Sequence, residues 1–294
     1  MKKIKLNYLE YDIVSYCNLN CGGCSHFCNI DESKTIVTKE EYEKDLKRLQ
    51  QFVNKIDIFR IMGGEPLLNP ELSQIIRITF KYFKDSQIVL VTNALLFNKN
   101  MNELYNILKE YNVLVNISLY KENKEKLLEV IKILKERKIN YFVEGSLNYF
   151  NKKILISKNE DVLDSYNNCS MKKCHNLSKG YLNICPIANY ISRLNRRFNL
   201  NYPITSLNIH VQDLTIKKLG TFLNNYNDMC NYCSKYPVYF KRKIVNYNDA
   251  KKDNYIIEGK IKLNHKLLYV IDHIYLLRKI KYLVYRVERK KYNN

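Results

Sequence analysis

Five short apolar runs separated by charged, helix-patterned stretches organise the first half of the chain. Tyr11–Tyr16, Ile56–Met62, Gln87–Thr92, Val113–Leu119 and Ile139–Glu144 have the length and β-branched content of buried strands. Between them, Thr38-Lys39-Glu40-Glu41 forms a capping box that starts a helix running to about Val53. Asn69-Pro70-Glu71 starts a second helix reaching about Phe83. Further helical patterns span roughly 101–111 and 122–138. Strands alternating with helices predict right-handed βαβ units and a parallel sheet: an α/β chain, with five strands by residue 144 forming a partial (β/α) barrel. Active sites in such barrels lie at the carboxyl ends of the strands. That rule alone selects the loop after Tyr16, Gly63–Glu65, Thr92 with Asn93, Asn116, Ser118 and Tyr120, and Glu144.

The second half is patterned differently. Lys179-Gly180-Tyr181 predicts a tight turn into a strand over Tyr181–Cys185, and Pro186 opens a helix. From Lys266 onward, Leu267, Ile271, Ile274, Leu277 and Val284 fall near one helical face, interrupted by Arg278, Lys279, Lys281, Arg286, Arg289, Lys290 and Lys291. This segment is too charged to span a bilayer. It packs on its own domain or lies on an anionic membrane surface. The organisation that follows is 1–150 for the barrel, 151–240 for a smaller cysteine-bearing domain and 241–294 for a basic helical extension.

Composition changes the picture in two ways. Lysine and arginine number 49 against 29 acidic residues, a formal charge of +20. The excess is spread along the chain and no RNA-binding motif accompanies it, which argues against a nucleic-acid partner. The nine cysteines accompany a start, MKKIKLNYLEYD, without an apolar signal core. They therefore point to metal ligands in a cytoplasmic protein, membrane-peripheral only if the basic helix touches lipid, rather than to disulfides.

Cys17, Cys21 and Cys24 stand as C-x3-C-x2-C in CNLNCGGC. Three thiolates can hold three corners of a [4Fe–4S] cubane and leave one iron open. On spacing alone a zinc knuckle remains open, with Cys28 or His26 as its fourth ligand. Cys169, Cys174, Cys185, Cys230 and Cys233 form a second group, in which a C-x2-C pair can clamp adjacent corners of a zinc or iron–sulfur site.

The cysteine loop after the first strand, joined to Gly63-Gly64-Glu65-Pro66 after the second, resembles the radical S-adenosylmethionine (radical SAM) superfamily. The resemblance implies a SAM-binding [4Fe–4S] cluster on Cys17, Cys21 and Cys24. It implies SAM contacts from Gly63, Gly64, Glu65, Thr92, Asn93, Asn116 and Ser118, a 5′-deoxyadenosyl radical, and an electron donor of flavodoxin or ferredoxin type. Glycines at 63 and 64 would let backbone carbonyls approach the SAM ammonium. The residue before the third cysteine is usually aromatic in the family; here it is Gly23, with Phe27 as a candidate substitute.

Cys169-x10-Gly180-x4-Cys185, followed by Cys230-x2-Cys233, resembles the Twitch form of the SPASM extension. That likeness implies a second, auxiliary [4Fe–4S] cluster on Cys169, Cys185, Cys230 and Cys233, with Cys174 as an alternative ligand. The plan over residues 8–235 is similar to the radical SAM dehydrogenases of aminocyclitol biosynthesis, of 2-deoxy-scyllo-inosamine dehydrogenase type. It implies hydrogen abstraction from a carbohydrate-like alcohol (a nucleotide sugar, an aminocyclitol or a surface-glycan unit) with oxidation or epimerisation. Tyr120 or Glu144 would face substrate, and Cys28 or Cys174 could return a hydrogen atom. A peptide-modifying radical SAM enzyme is the alternative within the family. A non-catalytic iron–sulfur or zinc protein that binds nucleic acid is the alternative outside it.

Overall fold

Alternation along the first strand sets the architecture. Leu9, Tyr11 and Ile13 are fully buried, while Glu10 and Asp12 between them are acidic. From Leu9 onward the odd positions join the main core beneath the helices and the even ones turn to the other face of the sheet; earlier in the strand Leu6 enters the core and Lys5 and Asn7 are exposed. The structure, a computed structural model, describes residues 3–145, 148–159, 161–204 and 206–267.

Strands β1 (Ile4–Asp12), β2 (Val53–Met62), β3 (Gln87–Thr92), β4 (Leu114–Ser118) and β5 (Tyr141–Glu144) run parallel in the order β5-β4-β3-β2-β1. Helices α1 (Lys39–Leu49), α2 (Leu72–Tyr82), α3 (Asn102–Glu110) and α4 (Lys124–Glu136) make the crossovers. They bury Tyr42, Leu46, Ile75, Ile76, Ile107, Leu127 and Val130 against strand residues such as Phe59, Leu90 and Val115. This is the mixed α/β, partial-barrel architecture that the pattern predicts.

Boundaries differ where local chemistry intervenes. The first strand begins at Ile4 rather than Tyr11, and its pairing with β2 ends at Asp12–Met62. The capping box at Thr38 forms in full, Thr38 Oγ1 accepting from Glu41 N at 3.2 Å and Glu41 Oε2 from Thr38 N at 3.0 Å. The second helix starts at Leu72; Asn69 Oδ1 accepts from Glu71 N at 2.8 Å just before it, while its Nδ2 donates to Ile13 O and Val37 O at 3.2 and 2.9 Å.

Beyond β5 come β6 (Tyr149–Leu155), α5 (Val162–Asn167), β7 (Asn176–Ser178), β8 (Tyr181–Asn183), α6 (Pro186–Phe198), β9 (Asn208–His210), α7 (Ile216–Asn224), β10 (Cys233–Lys241) and β11 (Ile256–Ile257). β7 pairs in parallel with β1, and β8 and β9 continue antiparallel, giving an eight-stranded sheet. β6 lies between β10 and β11 in a separate three-stranded sheet. The segment expected as a cysteine-bearing domain thus contributes to both sheets, and Ile256 and Ile257, in the expected extension, belong to the smaller one. A second core of Ile154, Ile187, Ile191, Leu194, Tyr202 and Ile256 takes in Phe27 and Ile30 from the cysteine loop. The amphipathic helix expected from Lys266 lies, after Leu267, outside the described residues. Among the described residues no helix is long and apolar enough to cross a membrane.

Candidate active site

The carboxyl ends of β1 to β5 open into one cavity of about 460 Å³. Cys17, Cys21, Cys24 and Cys28 line it together with Gly63, Gly64, Glu65, Thr92, Asn93, Ser118, Tyr120 and Glu144. Most of the residues selected by the strand-end rule therefore share one site. Asn116 does not reach the lining: it sits two residues before Ser118 on the same strand, and its buried Oδ1 has no hydrogen-bond partner among the described residues.

The two glycines have a reason that spacing alone does not supply. Gly63 has φ +133, and a Cβ there would lie 2.5 Å from Val14 O. At Gly64 a Cβ would fall 1.9 Å from Tyr16 O. The chain leaving β2 is pressed against the chain entering the cysteine loop, held by Gly64 N to Val14 O at 2.8 Å and Glu65 N to Tyr16 O at 3.1 Å.

Glu65 is buried and buttresses the site. Its Oε1 accepts from Thr92 Oγ1 at 2.6 Å and Leu67 N at 3.1 Å, and its Oε2 from Asn93 N at 2.8 Å. Burial pushes its carboxyl up to about 7, against the lowering effect of these bonds. Asn93 Nδ2 donates to Asn18 Oδ1 at 2.7 Å and lies 3.7 Å from Cys17 Sγ. Asn123, buried at the start of α4, donates to Asn93 O and Ser118 O at 2.7 and 2.8 Å, binding the ends of β3 and β4 together. In the sequence it reads only as a polar residue inside a helical stretch.

Behind the loop lies a buried polar network. Asp12 Oδ2 accepts from Asn176 Nδ2 and Tyr190 OH, both at 2.6 Å, and Oδ1 is 3.6 Å from His26 Nε2. Burial disfavours charge on His26, but Asp12 and Cys24 drive its pKa well above the ordinary value. Arg193 of α6 donates to Ser15 O and His26 O at 3.1 and 2.7 Å and pairs with Asp31 at 2.9 Å. Cys28 hydrogen-bonds Cys24, which lowers the pKa of Cys24 and raises its own.

The position opened by Gly23 is filled from afar. Its φ is +76, and a Cβ would strike Phe240 Cζ of β10 at 2.2 Å. Phe27 instead packs edge-on to Tyr255 in the second core, with ring centroids 5.8 Å apart, while still bordering the cavity.

The structure also assembles the second cysteine group. Cys169, Cys185, Cys230 and Cys233 lie close enough that Cys233 feels the charge of each of the other three. Cys185 caps α6, its Sγ 3.5 Å from Ala188 N, and Cys233 opens β10. Cys174 is half-buried; Glu10, Arg60 and Cys169 act on it, it acts in turn on Cys185, and burial pushes its thiol up to about 12. Cys174 does not line the cavity, whereas Cys28 does. Ser170 and Met171, next to Cys169, also line the cavity, while Cys169, Cys185, Cys230 and Cys233 themselves do not.

Among the described residues no three His, Cys, Asp or Glu side chains converge as ligands of one ion. A cubane spreads its thiolates over separate irons, and three thiols sharing one cavity wall fit it. Burial pushes Cys21 and Cys230 up to about 11, so binding of a metal through either thiol at neutral pH would release a proton.

The model of the radical SAM superfamily matches residues 11–174. GTP 3′,8-cyclase of Clostridium botulinum (strain Okra / Type B1) is 30% identical over 192 residues, 62% of this chain and 58% of that protein. GTP 3′,8-cyclase of Aliarcobacter butzleri (strain RM4018) is 34% identical over 126 residues, 41% and 36% of the two chains. The chain thus spans between about a third and three-fifths of the length of these relatives. Both are named as cyclases, not as the aminocyclitol dehydrogenase type that the cysteine spacing suggests. The crystal structure of BtrN in complex with AdoMet and 2-DOIA superposes with a TM-score of 0.52 at 13% identity, covering 87% of this chain and all of that one. At that identity the likeness is one of fold. The family match ends at Cys174, so the Twitch resemblance rests on the cysteines themselves.

Proposed function

This chain belongs to the radical SAM superfamily, and from that premise we propose that it abstracts hydrogen from an alcohol carbon of an anionic carbohydrate, such as a nucleotide sugar, and oxidises or epimerises that carbon. One observation carries the reading. The cavity is lined by the Cys17-Cys21-Cys24 triad and also by Arg60, Lys152, Lys153 and Glu144, together with Ser170, next to Cys169. Lys153 is buried, with its Nζ 3.4 Å from Ser170 Oγ. A buried ammonium at a cavity wall suits a phosphate or carboxylate.

When bound, the three-cysteine cluster and SAM supply a carbon-centred radical that takes a hydrogen atom, and a second cluster on Cys169, Cys185, Cys230 and Cys233 supplies an acceptor for the electron that oxidation leaves behind. The protein orients and encloses. Gly63 and Gly64 bring backbone to the site, Glu65 locks Thr92 and Asn93, and Ser118 offers a hydroxyl toward SAM. Glu144 and Tyr120 border the substrate space, where a carboxylate can accept the alcohol proton. Cys28, which lines the cavity, is our candidate to return a hydrogen atom if the outcome is epimerisation, with Cys174, which does not line it, as the alternative.

The names of the relatives favour a second reading, in which the anionic substrate is a nucleoside triphosphate; the same cations would serve it. The deciding experiment incubates the anaerobically reconstituted, reduced protein with SAM and either ring-deuterated nucleotide sugars or ribose-deuterated GTP. Deuterium in 5′-deoxyadenosine from the sugars alone supports the first reading, and from GTP alone the second. Label from neither substrate would sink both.

A further inference from the structure

We infer that Arg242 is a positioning residue that sets the reduction potential of the three-cysteine cluster. It lies far along the chain from the cysteine loop but is placed against it. Arg242 Nη1 donates to Cys21 Sγ at 3.0 Å, while Nη2 is ion-paired with Glu122. The guanidinium stands 4.6 Å from the centroid of the Tyr120 ring, and the side chain is only 4% exposed.

The segment after β10 is built to hold it there. Gly22 N donates to Lys243 O at 2.9 Å and Val245 N to Asn20 O at 2.7 Å, and Cys21 and Ile244 form an antiparallel bridge. Asn29 Nδ2 adds a bond to Val245 O at 3.0 Å, and a Cβ at Gly22 would meet Val245 Cγ2 at 2.7 Å. Residues 242–245 are thus a strap across the cysteine loop, and Arg242 is its charged contact with a ligand sulfur.

The consequence is electrostatic. Reduction by one electron from an external donor adds one negative charge to the cluster and its thiolates. A guanidinium hydrogen-bonded to one of those sulfurs, screened from water, stabilises the reduced form more than the oxidised form and raises the potential. Arginine stays protonated at every working pH, so the effect is constant. Glu122 moderates it by neutralising part of the charge.

The test is a redox titration of the reconstituted full-length protein by electron paramagnetic resonance, with the three-cysteine cluster identified by the change that SAM makes in its signal. Arg242→Met should lower the midpoint so that the reduced-to-oxidised ratio at fixed potential falls roughly tenfold, which is ~59 mV for a one-electron couple. Arg242→Lys, which keeps the charge but not the planar fork, should fall between. Glu122→Gln should move the midpoint the other way. An Arg242→Met protein with full iron content and an unchanged midpoint overturns the inference. If that variant fails to load iron, an unchanged or lowered midpoint in Glu122→Gln does so, because a merely structural strap predicts no rise.

Discussion

Glu65 shows what a single buried side chain does here. Its three accepted hydrogen bonds favour the carboxylate, but removal from water outweighs them and its pKa rises from 4.5 to about 7. The folded state therefore holds this proton between about pH 4.5 and 7 while the unfolded chain releases it. Stability from this group is greatest at the acidic end and declines as pH rises through 7, by at most ~3 kcal/mol. Infrared spectroscopy should show a protonated carboxyl band that persists to near-neutral pH and is missing in Glu65→Gln. A band lost by pH 5 in the wild-type protein would mean the hydrogen bonds win instead. Little of this is legible in the sequence, where Glu65 reads as part of a motif. That it stitches the end of β2 to the end of β3 depends on register between residues 27 and 28 positions apart.

At the scale of elements, α6 connects the two cysteine groups. Cys185 caps its first turn, Tyr190 reaches Asp12, and Arg193 reaches Ser15, His26 and Asp31. Pro186 and the preceding turn foretell the helix, but nothing in its periodicity marks Arg193 as buried; arginine in an amphipathic helix ordinarily reads as solvent-facing. Arg193→Met would leave Asp31 with the exposed Arg196, 3.2 Å away, as its cation, beside the bonds it accepts from Ser33 N and Ser33 Oγ at 3.2 and 2.8 Å. Breaking a buried pair from one side costs about 3 kcal/mol, and the denaturation midpoint should fall accordingly, with less iron retained on reconstitution. An unchanged midpoint would show that Arg196 and water replace Arg193. Strands were legible by the same physics that hid Arg193. β3 is an unbroken apolar run and its bounds are those the pattern predicts, whereas β1 alternates with Lys5, Asn7 and Glu10, and its apolar face is visible only once β2 and the helices are in place.

For the whole molecule, the question is whether the chain holds one cluster or two. The superfamily model covers the triad but stops before Cys185, Cys230 and Cys233. The fold nevertheless brings those three to Cys169 from four separate places: the loop after α5, the N-terminus of α6, the turn before β10, and β10 itself. Four buried or half-buried thiols gathered from distant positions, with a cavity wall formed by the residues beside one of them, are costly to keep unless a metal draws the thiolates together. Anaerobic reconstitution should yield about eight irons per chain, two cubanes. Cys230→Ala should reduce this to about four while leaving the SAM-sensitive paramagnetic signal, and Cys17→Ala should abolish that signal while retaining about four. α6 ties the groups mechanically, so the SAM-sensitive signal rather than the iron count assigns each loss to its cluster. About four irons in the wild-type protein, all lost in Cys17→Ala and none in Cys230→Ala, would reduce the second group to a set of inert thiols and leave the oxidative outcome without its electron acceptor.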